Sequence, residues 1–360
     1  MKKVIAGFIV LGFVSAIAPS ERTTASISPS GQQQTVASNR SQQLAQVSPS
    51  SPEKQSESGR LFRIHLNGKI GFIDFTGKIV IPPQFEQSDD NYESYSEGLA
   101  SVTIGGKKGY IDKTGKIAIA PQFYGAENFS ERLAMVTIGD KWGYINKAGK
   151  IVIPFQFDFA QSFSEGLARV KIGNKKGYID TTGKMVFLHQ FDWYDDFSEG
   201  LAKVQTGDKS GYIDKTGKIV IPVQFDGAFP FSEGLACVQI GDKLGYIDKA
   251  GKIAIPIQFV EAFPFSEALA NVQIGDKSGY IDKAGKIAIS PMFDLVLSFT
   301  EGLASVKIGN KWGYIDKTGK IVIPLQFDWA HSFSGGLAQV NIGDKRGYID
   351  KAGKFVWNPN

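Results

Sequence analysis

Three histidines and one cysteine are the residues of this 360-residue chain best suited to metal binding or nucleophilic chemistry. His65, His189 and His331 lie far apart and at no metal-ligand spacing, so a zinc-type site is not expected. Cys237 has no His or Asn motif to activate it as a nucleophile, and standing alone it excludes an intramolecular disulfide framework. Carboxylates recur in pairs, Asp158 with Glu165, Asp226 with Glu233 and Asp294 with Glu301, which is raw material for general acid–base catalysis. An active site, however, is one asymmetric constellation, whereas residues that return at a constant interval do one structural task many times. The expectation is therefore turn Asp residues accepting backbone N–H bonds, with Glu and Lys on a solvated rim. No Asp-x-Asp-x-Asp-Gly run offers a calcium loop, and no Gly-rich phosphate loop leads into a helix. No metal, no cofactor and no catalysis are expected.

Lysines also recur at fixed slots, as Lys141 and Lys150, but most stand beside an Asp or Asn of the same turn. The formal net charge of +4 is too slight to announce nucleic acid as a partner. The sharper feature is aromatic. A row of tyrosines runs through Tyr110, Tyr144, Tyr178, Tyr212, Tyr246, Tyr280, Tyr314 and Tyr348, with Trp142 and Trp312 two residues before Tyr144 and Tyr314. Exposed rings on a β surface stack on sugars or anchor protein partners. Trp142, Tyr144, Trp312, Tyr314, Tyr178 and Tyr212 are therefore the candidate binding residues. The competing expectation is that each Tyr packs against its cross-strand neighbour, stiffening the sheet with its hydroxyl at the surface.

What positions these residues is a repeat. A Gly followed by an aromatic and Ile occurs at Gly71, Gly109, Gly143, Gly177, Gly211, Gly245, Gly279, Gly313 and Gly347, with a first interval of 38 and seven of 34. The four extra residues fall around Ser88-Asp89-Asp90-Asn91 in the first connector. A 34-residue period also suits helical repeats, but the apolar spacing decides against them. Ala134, Val136 and Ile138 alternate with Met135 and Thr137, Ile151-Val152-Ile153 is β-branched throughout, and turn residues interrupt every few positions. These are strands.

The turns set the register. Gly139-Asp140 reads as a two-residue hairpin, and Lys147-Ala148-Gly149 as a three-residue loop whose Gly takes the left-handed position. Each unit is thus a three-stranded antiparallel meander. Pairing outward from the turns sets Val136 opposite Gly143, Ala134 opposite Ile145, Ile151 opposite Ile145 and Ile153 opposite Gly143. That face is apolar in nearly every unit and is assigned to the core. The other face, with Met135, Thr137, Trp142, Tyr144 and Val152, varies between units and is assigned to solvent. One unit has too little apolar surface to fold alone, so neighbours must cover each other, with connector phenylalanines such as Phe157 and Phe163 as inter-unit cement.

Lys141-Trp142-Gly143-Tyr144-Ile145 and Lys311-Trp312-Gly313-Tyr314-Ile315-Asp316-Lys317-Thr318-Gly319-Lys320 resemble the WG (KWG) repeat, a β-rich repeat common in bacterial proteins. The resemblance covers residues 61–360 and implies a β-repeat architecture with a role in binding or interaction. The Trp itself stands only in units three and eight; elsewhere the slot holds Ile70, Lys108, Lys176, Ser210, Leu244, Ser278 or Arg346. A slot accepting Lys, Ser and Trp is expected outside the core.

The fold expected is all-β: nine three-stranded meanders in an open, curved, solenoid-like array, with a closed propeller-like ring as the alternative. Ahead of it, Lys2-Lys3 and the apolar run Val4–Ala18 read as a secretory signal over 1–18, too short to span a bilayer. Residues 19–60 are Ser-, Gln- and Pro-rich and read as a disordered linker. The whole is expected to be secreted or held in the periplasm or cell envelope, without a stable membrane span. Its expected partner is an envelope or secreted protein, met as an interaction scaffold, or alternatively a cell-wall glycan.

Overall fold

The computed structural model describes residues 59–86 and 95–358, all within one compact unit of the chain, Val47–Asn360. The expected signal (1–18), residues 19–58 of the expected linker and the extra residues of the first connector lie outside the described residues. Among those described there is no α-helix.

The third unit shows how the sequence builds a sheet. Leu133–Ile138 and Lys141–Asn146 pair through the Gly139-Asp140 turn in the register expected, Val136 opposite Gly143 and Ala134 opposite Ile145. The third strand, Ile151–Phe157, starts as expected with Ile151 opposite Ile145, then departs. Ile153 stands opposite Tyr144, not Gly143, and Phe157 opposite Trp142, so three residues bulge against one. Pro154 explains the departure, because a proline has no N–H to give the ladder.

Among the described residues, the seven meanders after the first two also carry a fourth strand that the pattern did not reveal. In this unit it is Gly125–Ala126, in the connector, whose two residues pair with Thr137 and Val136. Two residues are too few for alternation to register in a sequence. The strands form eight sheets, seven of them four-stranded; the six-stranded first sheet holds two meanders, Phe62–Glu86 and Leu99–Phe123, joined through the single pair Glu86 with Thr103.

The sheets stack face to face, which corrects the assignment of one face to solvent. Met135, Tyr144 and Ile153 of one sheet form a single buried cluster with Ala168, Val170 and Ile179 of the next, closed by Phe157 and Phe163. Cys237, Tyr246 and Ile255 meet Ala270, Val272 and Ile281 in the same way. Both faces of every sheet are thus core at their centres, and exposure falls at strand ends such as Ile138 and Ile151.

The series closes. Phe62, Ile64 and Ile73 of the first sheet pack with Leu337, Tyr348, Val356 and Trp357 of the last. The Tyr348 hydroxyl donates to the Arg63 carbonyl at 2.8 Å, across 285 residues of chain. The favoured open array is therefore replaced by its alternative, a propeller-like ring. A ring removes the two uncovered apolar faces that an open stack leaves at its ends.

Candidate functional site

The aromatic row is where the sequence placed it, but it is not a surface. Tyr144, Tyr178, Tyr212, Tyr314 and Trp312 are at most 1% exposed, and Trp142 is half-buried, its ring lying over Gly125. Nor do the tyrosine hydroxyls reach the surface. Tyr144 donates to the carbonyl of Gln161 at 2.6 Å, Tyr178 to Asp195 at 2.6 Å, Tyr212 to Phe229 at 2.7 Å and Tyr314 to His331 at 2.7 Å. Each is a bond from one sheet to the connector that opens the next. Burial raises the phenol pKa in every case. Trp312 packs against Trp329 with ring centroids 4.9 Å apart and tilted by 58°, and its slot is also buried where it holds Ile70, Ser210, Leu244 or Ser278, against the expectation of a non-core position. The six candidate rings hold sheets together.

The recurrent polar groups hold the ring together as well. Turn Asp residues accept backbone N–H bonds as expected: Asp74 Oδ1 takes them from Thr76 and Lys78. The connector glutamates reach further than a solvated rim. Glu165 accepts the Gly200 N–H of the next sheet at 2.9 Å and pairs with Lys215 of that sheet at 3.1 Å, and Glu199, Glu233 and Glu267 do the same one unit on each time. A second series runs through Asp226, which binds Lys209 and caps the Gly241 N–H at 2.7 Å.

Cys237 is wholly buried with its thiol against the Ala262 carbonyl, and burial pushes its pKa up, so it has no thiolate character. His65 and His331 stand in separate sheets, and burial followed by nearby arginine charge lowers both pKa values. Among the described residues no group of three His, Cys, Asp or Glu is placed to hold a metal.

What remains is the place where the repeat breaks. The fourth unit reads Met185-Val186-Phe187-Leu188-His189-Gln190-Phe191-Asp192-Trp193-Tyr194, and Leu188 occupies the slot of Pro82, Pro154, Pro222, Pro256 and Pro324. With an N–H restored there, the wide bulge disappears and only the one-residue shift at Val186 remains. Phe187, Leu188 and His189 pair in unbroken order with Tyr178, Gly177 and Lys176. His189 thereby takes the ladder position that Phe157 holds in the preceding sheet, and Phe191 is displaced to a half-buried place stacked on His189 at 5.3 Å. Tyr194 stands where other units have Ala or Val, and fills the space with its ring 4.1 Å from His189. The neighbouring slots carry Asp195 and Asp196, which bind Lys203 at 2.9 Å and Arg169 at 2.7 Å.

Asp195 and Asp196 are thus both paired, and three apolar residues of the segment are exposed. Val186, Leu188 and Trp193 are 43%, 52% and 56% exposed, Trp193 being the most exposed of the five tryptophans. Its indole N–H is fixed on Asp195 at 2.8 Å. His189 Nδ1 accepts the Phe191 N–H at 3.2 Å, so the ring proton sits on Nε2, which has no partner. Burial, then the Lys176 charge, lowers its pKa to about 4, so the ring is neutral at pH 7. A cavity of about 240 Å³ opens beside it, lined by Asn174, Lys175, Lys176, Leu188, His189 and Gln190. None of these was singled out from the sequence as a binding residue; the missing proline and the Ala-to-Tyr exchange were the available signals.

No curated protein matches this sequence. Among solved structures, a crystal structure of the eukaryotic initiation factor superposes with a TM-score of 0.60 at 13% identity, over 84% of this chain and 96% of that one. Dihydro-heme d1 dehydrogenase NirN in complex with DHE gives 0.46 at 12% identity, over 78% of this chain and 76% of that one. At such identities the first likeness speaks for the fold alone. The sequence profile of the WG containing repeat matches eight tandem stretches, 70–107, 109–142, 142–175, 177–209, 211–243, 245–277, 279–312 and 312–345. Those stretches carry the turn, tyrosine and connector positions on which the ring is built, and the chain belongs to the WG containing repeat family.

Proposed function

We propose that this chain is a non-catalytic binding module that acts as a protein-interaction scaffold at the fourth-unit surface. The observation that carries the reading is the break in the repeat at Met185–Asp196, where Leu188 replaces an exposed proline and stands with exposed Val186 and Trp193. Elsewhere the repeated polar groups described above are engaged by neighbouring sheets, which leaves them poorly placed to move protons on a substrate. Rigid rings flanked by polar groups are what protein interfaces use as anchors. Export is part of the proposal and rests on Lys2-Lys3 and the apolar run after them; the partner is then an envelope or secreted protein.

A second reading, a cell-wall glycan as ligand, is favoured by one feature. Trp193 is exposed, its indole held by Asp195, with the Asp196 carboxylate next in sequence, and a ring beside hydrogen-bonding groups suits a sugar face. One experiment separates the two. The full chain, a Val186→Ser/Leu188→Ser/Trp193→Ala variant and Trp193→Ala alone are cross-linked to envelope proteins and co-sedimented with purified sacculi. A discrete cross-linked protein that the variant loses supports the scaffold. Sacculus binding lost with the Trp193 change alone supports the glycan. Equal behaviour of parent and variant in both assays removes this surface from the function.

A further inference from the structure

The outer strand of a sheet presents unpaired N–H and C=O groups, and natural proteins block such edges with proline, bulges or charge. Most third strands of this ring are blocked in that way. Proline stands at the fourth or fifth position in Ile79–Glu86, Ile117–Phe123, Ile151–Phe157, Ile219–Phe225, Ile253–Phe259, Ile287–Phe293 and Ile321–Phe327, and each pairs through register shifts. Met185–His189 has no proline and no charged residue, and it lacks the wide bulge of the others. After a one-residue shift at Val186 it runs in regular register from Phe187 to His189, with Val186 and Leu188 exposed.

The surroundings say what would pair with it. Lys184 precedes the strand, and Lys175 and Lys176 stand across from its far end. Lys141, Lys209, Lys277 and Lys311 each bind the Asp that ends their own third strand. Asp192 caps the Gly207 N–H as its equivalents cap theirs, but Lys175 makes no such pair with it. The cavity at this end thus places Lys175, without its usual carboxylate, beside Lys176, with Asn174, His189 and Gln190 as further walls. Two lysines at its wall, one of them without a carboxylate partner, favour a carboxylate there.

Resting on the binding-module reading, we infer that Met185–His189 takes up an extended segment of a partner protein as an added strand, with apolar side chains at alternate positions and an acidic side chain at the cavity. Backbone bonds to the open edge supply the pairing, and the cavity fixes its register. A second copy of this chain fits less well, because two five-residue strands bury far less than a standard interface of about 1,600 Å².

A displayed library of random nonapeptides, selected on the full chain, is the probe. Selection should enrich sequences that alternate apolar residues and carry Glu or Asp near one end. Binding of the enriched peptides should fall at least tenfold in Leu188→Pro, which installs the residue other units have at that slot, and in Val186→Lys, which keeps the backbone intact. Lys175→Glu/Lys176→Glu should abolish the acidic preference. No enrichment, or peptides that bind Leu188→Pro and Val186→Lys as well as the parent, would overturn the inference. So would a concentration-dependent dimer that Val186→Lys dissolves, since the occupant is then a second copy. If both edge variants still cross-link the envelope protein while Trp193→Ala does not, the edge inference fails and the scaffold reading stands.

Discussion

His189 is the residue whose neighbours most constrain its behaviour. Tyr178 and Tyr194 lie 6.0 and 4.1 Å from its ring, Phe191 stacks on it, and Lys176 adds a positive charge nearby. A folded-state pKa of about 4, below the unfolded value, means that the unfolded chain binds the extra proton first as pH falls. The stability held by neutral His189 is therefore complete above pH ~6.5 and is lost progressively down to about pH 4. With the partial exposure of the ring allowed for, the loss is on the order of 1–2 kcal/mol. His189→Leu should flatten part of the fall in Tm between pH 7 and pH 4.5, read by calorimetry, while His65 and His331, shifted the same way, keep the rest. An unchanged pH profile would mean that the imidazole titrates alike in the folded and unfolded chains. The sequence marked His189 as an isolated histidine of no particular role. Its neutrality could not be read there, because it depends on rings that come from a displaced connector.

At the scale of the element, the Ser-Glu-Gly-Leu connector turn carries strain for a purpose. Ser198 and Leu201 exchange backbone bonds at 2.9 and 3.2 Å, and closing so short a turn puts Glu199 at φ 54° and Gly200 at φ 86°. A glutamate in that region is unfavourable by roughly 1 kcal/mol or more. Its carboxylate offsets this by capping Gly234 N–H and pairing with Lys249. Glu199→Ala keeps the strain and loses both contacts, so it should destabilise by about 1–2 kcal/mol in urea titration. Glu199→Gly loses the contacts but also the strain, and should lie within about 0.5 kcal/mol of the parent. Gly335, at the same slot near the ring's join, is a natural instance. If both variants fall equally, the turn is unstrained and the cap alone matters. The three long strands and the Gly139-Asp140 and Lys147-Ala148-Gly149 turns were legible in the sequence, since each follows from alternation and local turn chemistry. The proline bulge was legible in principle, since Pro154 cannot donate to the ladder. The two-residue fourth strand was not, because its pairing is set by the fold around it.

Across the whole molecule the join repeats the contact made between successive sheets. In successive meanders the glycine of the turn before the third strand meets the third strand of the preceding meander: Gly115 meets Ile81, Gly149 meets Ile119 and Gly285 meets Ile255. Gly77 of the first meander meets Val356 of the last meander, which is what a closed ring demands. That closure was not legible in the sequence, because repeat spacing fixes each unit but not the angle between units, and a small angular change separates a ring from a helix. The two-faced burial of Tyr144 and Met135 follows from the same stacking. The join differs in one respect that makes it testable. A Cβ on Gly77 would fall 1.9 Å from the Val356 carbonyl oxygen, a backbone atom, whereas one on Gly115 would meet only the Ile81 side chain, at 3.0 Å. Both glycines have φ near +85°, at 84° and 85°, so Ala at either position carries the same local strain of about 1 kcal/mol. The difference between Gly77→Ala and Gly115→Ala therefore isolates the join. Gly77→Ala should cost at least ~1 kcal/mol more, because backbone must move. It should also accelerate amide exchange in Phe62–Leu66 and Phe355–Trp357 while the sheets opposite stay protected. Equal Tm values and equal exchange in the two variants would mean that the first and last sheets part in solution, leaving the ring open.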